Sequence, residues 1–232
     1  MQHLLPIEGY GVRLRPVRTS DARFIVWVRN QEYAKGKLGD SAMDIASQEA
    51  WLADYFDRAG DYYFIVETLA GTPLGTHGIY GIAGATAESG RYVMRPEVVA
   101  AVPSSILAFD LAFGRLNLHE LIATCVATNH TVHSLNRKFG FKQTKTVAGE
   151  RTIGGQPVEM VHFSLLADDW PAARARLVPL ATFAEAQILE WEKKAHETCA
   201  PFCRTEPVAA ASDATLISDA RNVSRTPSFA RR

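Results

Sequence analysis

The stretch ELIATCVATNHTVHSLNRKFGF, residues 120–141, ends an apolar run at Asn129 and begins a helical pattern directly after it. Leu121, Ile122, Cys125, Val126 and Ala127 read as a short strand covered on both faces. A strand that splays from its neighbour before a helix N-terminus leaves backbone N–H and C=O groups unpaired, and an extended, amide-bearing ligand can pair with them as an added strand. The chemistry implied is a cofactor slot. His77, flanked by Gly75 and Gly78, has the side-chain type of a general base, because an unperturbed imidazole changes charge in the physiological range. A purely structural histidine is the competing reading.

The helix after the slot carries Val132, Leu135 and Phe139 on one face, with Asn136, Arg137 and Lys138 on others. Gly140 supplies the left-handed residue that stops it, and Phe141 can fold back on the last turn. Asn129 is placed to cap the first turn. The three cysteines are Cys125, in the strand, and Cys199 and Cys203 near the C-terminus. An odd count argues against a disulfide framework, and C-x-x-x-C without a second pair or histidines is not a metal pattern, so no metal is expected.

Composition sets the class. The chain has 232 residues with 47% hydrophobic content, enough for one large core or one core with an appendage. Twenty-five basic and twenty-five acidic residues balance, so no net field draws nucleic acid or an anionic membrane. No apolar run approaches the roughly 20 residues of a membrane span, and residues 1–14 lack the basic-then-apolar layout of a signal peptide. A cytoplasmic protein is expected, without nucleic-acid or membrane partners.

The remaining elements must position the slot. Val12 to Arg15 alternates before Pro16 and reads as an edge strand. A helix over 22–33 follows the cap region Thr19–Asp21, and a polar loop over 35–44 leads to a second helix from Ser47, with Trp51, Leu52, Tyr55 and Phe56 as its apolar stripe. Strands are expected over 62–67, 75–82 and 88–94, then a helix from Pro103 or Ser104 carrying Ile106, Phe109, Phe113 and Leu116. After the slot, strands over 142–147 and 158–165 pair around Gly154-Gly155. Residues 168–197 suggest one or two helices, with Leu177, Phe183, Ile188 and Trp191 as docking positions on the sheet or a second copy of the chain. From Thr198 onward the composition reads as a disordered tail, residues 198–232.

Five pieces stand in order: L-R-P-V-R-T-S-D, W-V-R-N, P-L-G-T-H-G-I-Y-G-I, E-S-G-R-Y-V-M-R-P and N-H-T-V-H-S-L-N-R-K-F-G-F. Together they resemble the GNAT superfamily of acyl-CoA-dependent N-acetyltransferases, in the branch of ribosomal-protein alanine acetyltransferases and amino-sugar nucleotide acetyltransferases. The resemblance covers about residues 10–166 and implies an α/β (α+β) fold. It specifies a mixed, twisted sheet that parts at its middle between residues 88–94 and 121–128, with about four flanking helices in a domain of residues 1–167. Acetyl-CoA or another acyl-CoA is the implied co-substrate, and a primary amine the implied acceptor.

By that resemblance Glu88 stands where a carboxylate base acts directly or through water, with a solvated edge glutamate as the alternative. Asn129 and Ala127 stand where the pantetheine arm is held, facing the strand end at Tyr92, Val93 and Met94. Asn136 occupies the place of a tyrosine acid, and an amide donates a hydrogen bond without supplying a proton. Arg29, Asn30, Tyr33, His77 and Tyr80 fall on the acceptor side, with Lys35 in the loop beyond. Arg29 and Asn30 have the fork and amide to bind a phosphate or sugar hydroxyl, though Arg29 as a cap of its own helix is equally compatible. The W-V-R-N helix end points to an amino-sugar nucleotide; peptide N-termini and other small amines stay open. One departure is pronounced: the family's R-x-x-G-x-G loop, which holds the pyrophosphate, corresponds here to Pro96–Ser105, with no glycine and no arginine. Ser104, Ser105 and the helix dipole remain for a weaker phosphate site. The competing reading is a GNAT-shaped binding or regulatory domain without catalysis.

Overall fold

The computed structural model describes residues 6–34, 36–38, 44–197 and 202. Its order is β1 (Ile7–Gly9), β2 (Val12–Pro16), α1 (Ala22–Arg29), α2 (Ile45–Phe56), β3 (Tyr62–Thr68), β4 (Pro73–Ala83) and β5 (Thr86–Met94), followed by α3 (Ala101–Asp110), β6 (Glu120–Val126), α4 (His130–Phe139), β7 (Lys142–Ile153), β8 (Gln156–Leu166) and α5 (Trp170–Glu197). One sheet runs β1-β2-β3-β4-β5-β6-β8-β7. All neighbours are antiparallel except β5 and β6, which are parallel and pair over three positions, Thr86↔Glu120, Ala87↔Leu121 and Glu88↔Ile122. Beyond Glu88 the two strands separate, as the sequence led us to expect, while β6 stays paired with β8 through Val126.

Two cores lie on opposite faces of the sheet. Ala22, Phe24, Ile25 and Val28 of α1 and Leu52 and Tyr55 of α2 pack with Tyr63, Ile65 and Val93 on one face. On the other, α3, α4 and α5 pack against Phe64, Ile79, Leu121 and Phe163. Phe109 of α3 is the hub of that second face: its ring meets Phe139 of α4 at 5.8 Å, Phe141 at 5.6 Å, Trp170 of α5 at 5.4 Å and His77 of β4 at 5.8 Å. Removing such a ring costs about 3–5 kcal/mol, so α3 and α4 are held at a fixed spacing.

Several boundaries differ from the sequence expectation, each for a local reason. α1 ends at Arg29, four residues early, and Asn30 takes the C-cap position. α2 starts at Ile45 because Asp44, not a residue at 47, caps it, accepting from the Ser47 N–H at 2.8 Å. α3 begins at Ala101, so Pro103 sits inside its first turn, where a missing N–H does no harm. β7 runs on to Ile153 as an exposed strand whose side chains show no apolar alternation, and a register shift between Val147 and Arg151 lies along it. α5 is a single helix through Pro179; Leu177 and Ile188 are buried in it, but Phe183, expected as a docking position, is 68% exposed. No helix among the described residues is long and apolar enough to cross a membrane. Lys35, Cys199, Cys203 and the segment 204–232 lie outside the described residues.

Candidate active site

A cavity of about 300 Å³ passes through the sheet where β5 and β6 part. Its lining brings together Arg29, His77, Tyr80, Glu88, Tyr92, Ser105, Asn129 and Asn136 from the sequence candidates. Asn30, Tyr33, Val93, Met94, Ser104 and Ala127 are not part of it. Val93 instead buries its side chain against α1 and α2, and Ser104 donates to the Ala100 carbonyl at 2.7 Å inside its own helix. The Ala127 N–H is taken by the Glu159 carbonyl at 2.9 Å. On the parted side the Val126 carbonyl accepts from the Asn129 N–H at 2.9 Å, and the Thr128 carbonyl from the His130 N–H at 3.1 Å, so the end of β6 is folded into the first turn of α4.

Faces of the sheet follow from the same alternation. Tyr80 and Glu88 are paired across β4 and β5, on the side of α1 and α2, and the Tyr80 hydroxyl donates to the Glu88 carboxylate at 2.8 Å. Burial and the adjoining Glu88 push the Tyr80 phenol well up, which keeps it a donor. The ring is clamped. The Arg91 guanidinium lies over it at 4.1 Å, and a Cβ on Gly90 would stand 2.3 Å from the Tyr80 hydroxyl oxygen, so only glycine leaves room. Arg91 itself has a left-handed backbone, φ 48°, where the register of β4 and β5 shifts. Its guanidinium pairs with Asp61 and stacks on Trp51 at 5.0 Å, and its carbonyl accepts from the Thr76 hydroxyl at 2.7 Å.

On the face of α3 and α4 the picture reverses. His77 is 1% exposed; its Nε2 meets the Ser89 hydroxyl at 2.9 Å, and its Nδ1 has no partner. Burial pushes this imidazole down to about 3, so it stays neutral and is a weak base. Five buried side-chain polar atoms among the described residues lack a protein partner, and four of them, His77 Nδ1, Tyr92 Oη, Ser105 Oγ and Asn136 Nδ2, belong to residues lining this cavity. Burial raises the Tyr92 phenol, and the hydroxyls of Ser105 and Ser104 beside it offset part of that rise without completing a hydrogen bond. Cys125 also lines the cavity, and burial pushes its thiol up to about 11, which leaves it unreactive near neutral pH.

Local sequence explains the α4 wall. Asn129 accepts from the Val132 N–H at 3.4 Å as N-cap while lining the cavity, so both of its expected roles are compatible. Gly140 adopts φ 96°, and the Phe141 N–H closes on the Asn136 carbonyl at 3.0 Å. Asn136 is buried rather than set on an outer face, because α4 packs through His133, Asn136 and Phe139. His133, which sequence reasoning passed over, contacts the Val126 carbonyl through Nε2 at 3.1 Å and ties α4 to the end of β6. Arg151, Ile153 and Met160 of the β7–β8 hairpin also line the cavity. Their only sequence signal was the Gly154-Gly155 turn that folds the hairpin.

The loop before α3 carries no side-chain cap on that helix. Arg95, immediately upstream, is 2% exposed and points the other way, donating to the Pro73 carbonyl at 2.9 Å and lying over Trp27 at 4.4 Å. No group of three or more His, Cys, Asp or Glu side chains among the described residues is arranged to hold a metal ion.

Residues 12–142 match the family described as Acetyltransferase (GNAT) domain. No curated protein matches the chain in sequence. Among solved structures, a GCN5-related N-acetyltransferase from Brucella melitensis superposes with a TM-score of 0.67 at 20% identity, covering 78% of this chain and 86% of that one. FdhC, a nucleotide-linked sugar GNAT solved without ligand, gives 0.62 at 23% identity over 78% and 98%. Spermidine N-acetyltransferase from Vibrio cholerae, in complex with CoA and spermine, gives 0.64 at 20% identity over 70% and 99%. These likenesses carry the fold, and the family match covers more than half of the chain's 232 residues. With its sheet parted beyond Glu88 and a cavity passing through the gap, this chain belongs to the GNAT family of N-acetyltransferases.

Proposed function

We propose that this enzyme moves an acetyl or similar acyl group from an acyl-CoA to a primary amine carried by an amino-sugar nucleotide. The observation that supports transfer is the cavity through the parted sheet, with a ligand-ready wall on the α3/α4 face and the Tyr80–Glu88 pair on the other. The residues present fit a coenzyme A arm: Ser105 Oγ and Asn136 Nδ2 are buried polar atoms awaiting partners on the two helices that flank the gap. When bound, the thioester supplies an activated acyl carbon.

Glu88 then receives the proton of the acceptor ammonium, held in position by the Tyr80 hydroxyl. Asn136 directs its N–H groups toward the departing sulfur and steadies its charge, and water supplies the proton. His77 is too deeply buried to share the base role and serves as wall.

Charge supports the acceptor class. Arg29 of α1, Lys37 of the following loop, Arg91 and Arg151 of β7 line the cavity, and Glu88 is its one lining carboxylate among the described residues. Asp61 matches Arg91. Lys37 and Arg151 give the lining a positive character that suits an acceptor with a phosphate group near its amine. A polyamine such as the spermine bound by the Vibrio cholerae relative would meet like charge. The glycine-free loop over 96–105 favours a second reading, a binding domain without turnover.

The test has two stages. Coenzyme A at 100 times its dissociation constant should stabilise the fold by roughly 2.7 kcal/mol, seen as a rise in melting temperature. No shift at millimolar coenzyme A favours the binding-domain reading. Thiol release is then followed with a nucleotide-linked amino sugar, spermidine and an alanine-ended peptide. A higher kcat/KM for spermidine or the peptide overturns the acceptor assignment.

A further inference from the structure

The outer face of α5 carries a pattern that its packing on the sheet does not use. The helix buries Leu177, Ala181 and Ile188 against the core, yet Leu180, Phe183 and Leu189 stand exposed on it, and Phe183 at 68% is the most exposed large hydrophobic among the described residues. Arg176, Leu180, Phe183, Gln187, Glu190 and Lys194 recur at alternating steps of four and three residues, the spacing of a helix–helix seam. The second half of that stripe, from Phe183 to Lys194, borders a groove of about 410 Å³ together with Ala186 and Trp191. α5 lies beyond residues 12–142 of the family match, and none of the stripe lines the cavity through the sheet.

The order of charge along the seam selects its partner. Arg176 stands seven residues before Phe183, and Glu190 seven residues after it. A second α5 laid antiparallel, with Phe183 on the two-fold axis, brings each Arg176 opposite the other copy's Glu190, each Leu180 opposite Gln187, and the two Phe183 rings together. Glu190 meets Lys194 of its own helix through Oε1 at 3.0 Å, which leaves its second oxygen for the arginine. A parallel pair would set like charges against each other and align the two helix dipoles.

The chain's own C-terminal segment suits the seam less well. Residues 203–232 carry five arginines against three carboxylate side chains, and the seam itself has two cations to one anion, so the two would meet with like charge. Phe202 moreover packs on Phe24 at 5.5 Å and Trp27 at 5.3 Å, on the α1/α2 face, while α5 packs on the other.

We propose that two copies of this chain associate through α5 as an antiparallel, isologous helix pair centred on Phe183, with Arg176 and Glu190 fixing the register. The apolar centre supplies the affinity, because exposed ion pairs contribute little beyond specificity. From Arg176 to Lys194 the seam is about 27 Å long, which places the contact at the small end of specific interfaces and its dissociation constant in the micromolar range.

Sedimentation of the full chain between about 1 and 200 µM tests this, and a monomer–dimer equilibrium is expected. Phe183→Lys should weaken association at least about tenfold, with the melting temperature unchanged because the side chain is exposed. Arg176→Glu and Glu190→Arg should each weaken it about threefold or more, and the chain carrying both should return to within about twofold of wild type, since opposite charges face each other again. A monomer throughout the range, a dimer that Phe183→Lys leaves intact, or charge variants whose losses add instead of cancelling overturns the proposal.

Discussion

The two faces of the cavity treat their polar groups in opposite ways. On the α1/α2 face two charged groups at the gap are matched inside the protein: Glu88 by Tyr80, and Arg91 by Asp61 and by the rings of Trp51, Tyr63 and Tyr80. On the α3/α4 face the groups are neutral and four of them wait unmatched. A matched network keeps its geometry whether or not ligand is present, as groups poised for proton transfer require. An unmatched wall gains its partners from the ligand, which converts burial cost into affinity and discrimination. On the function proposed above, chemistry and recognition divide between the two sides of one sheet.

The strongest way to break this division is at Glu88. If the α1/α2 face carries the chemistry, Glu88→Gln lowers turnover by about 10²-fold or more while coenzyme A affinity and melting temperature stay near wild type. Unchanged turnover would leave the proton to water and remove the distinction. A smaller loss, of about tenfold in kcat, is expected from Gly90→Ala. Its methyl would displace the Tyr80 hydroxyl from Glu88 without touching the carboxylate. Tyr80→Phe should give a loss of similar size, and a pH–rate profile that moves in both variants separates positioning from general damage. If neither profile moves, Tyr80 only packs.

The same contrast explains what could be read from the sequence. The strand, Asn129 and the helix stopping at Gly140 were legible because each depends on local rules: an apolar run, a cap and a left-handed residue. The parting of the sheet beyond Glu88 followed from family resemblance. Tyr80 and Glu88 are eight residues apart in sequence, and their pairing depends on the β4–β5 register with its shift around Arg91, which no periodicity reveals. Asn136 was assigned to an outer helix face because its polarity outweighed its spacing; a buried amide makes sense only beside a cavity. β1 and the full length of β7 were missed for the converse reason, since exposed edge strands need no apolar pattern to pair.

A third prediction probes the recognition face through pH. His77 has its folded pKa pushed down to about 3, below the ordinary 6.5. Between those values the unfolded chain binds a proton that the folded chain refuses, so stability rises with pH through this window and the contribution is complete above about 6.5. Replacing His77 by Gln removes the linkage. The stability advantage of wild type over His77→Gln should shrink by up to about 1.4 kcal/mol for each pH unit below 6, read by denaturant unfolding at pH 7.5, 6 and 5. Parallel pH curves for the two proteins would mean that His77 protonates in place and that the α3/α4 wall is not neutral.

The smallest expected effect lies at the entrance to the slot. Val99 is 49% exposed on the loop before α3, where the resemblance led us to expect an arginine, and the adjacent Arg95 is buried in the opposite direction. With no cation on that loop, the interior of the slot must supply most of the affinity for coenzyme A. Wild type should therefore bind coenzyme A and pantetheine with dissociation constants within about tenfold of each other. Val99→Arg adds a charge at the N-terminus of α3 without removing core contacts. It should tighten coenzyme A about threefold to tenfold, roughly 1 kcal/mol, by charge-assisted hydrogen bonding to phosphate. The gain should fade as salt is raised toward 1 M and be absent for pantetheine, which has no phosphate. Equal gains for both ligands would place the new arginine on the arm instead of the pyrophosphate. No gain for either would mean that the phosphates leave the slot by another route, and that the loop over 96–105 is a packing element whose lost glycines were no loss to binding.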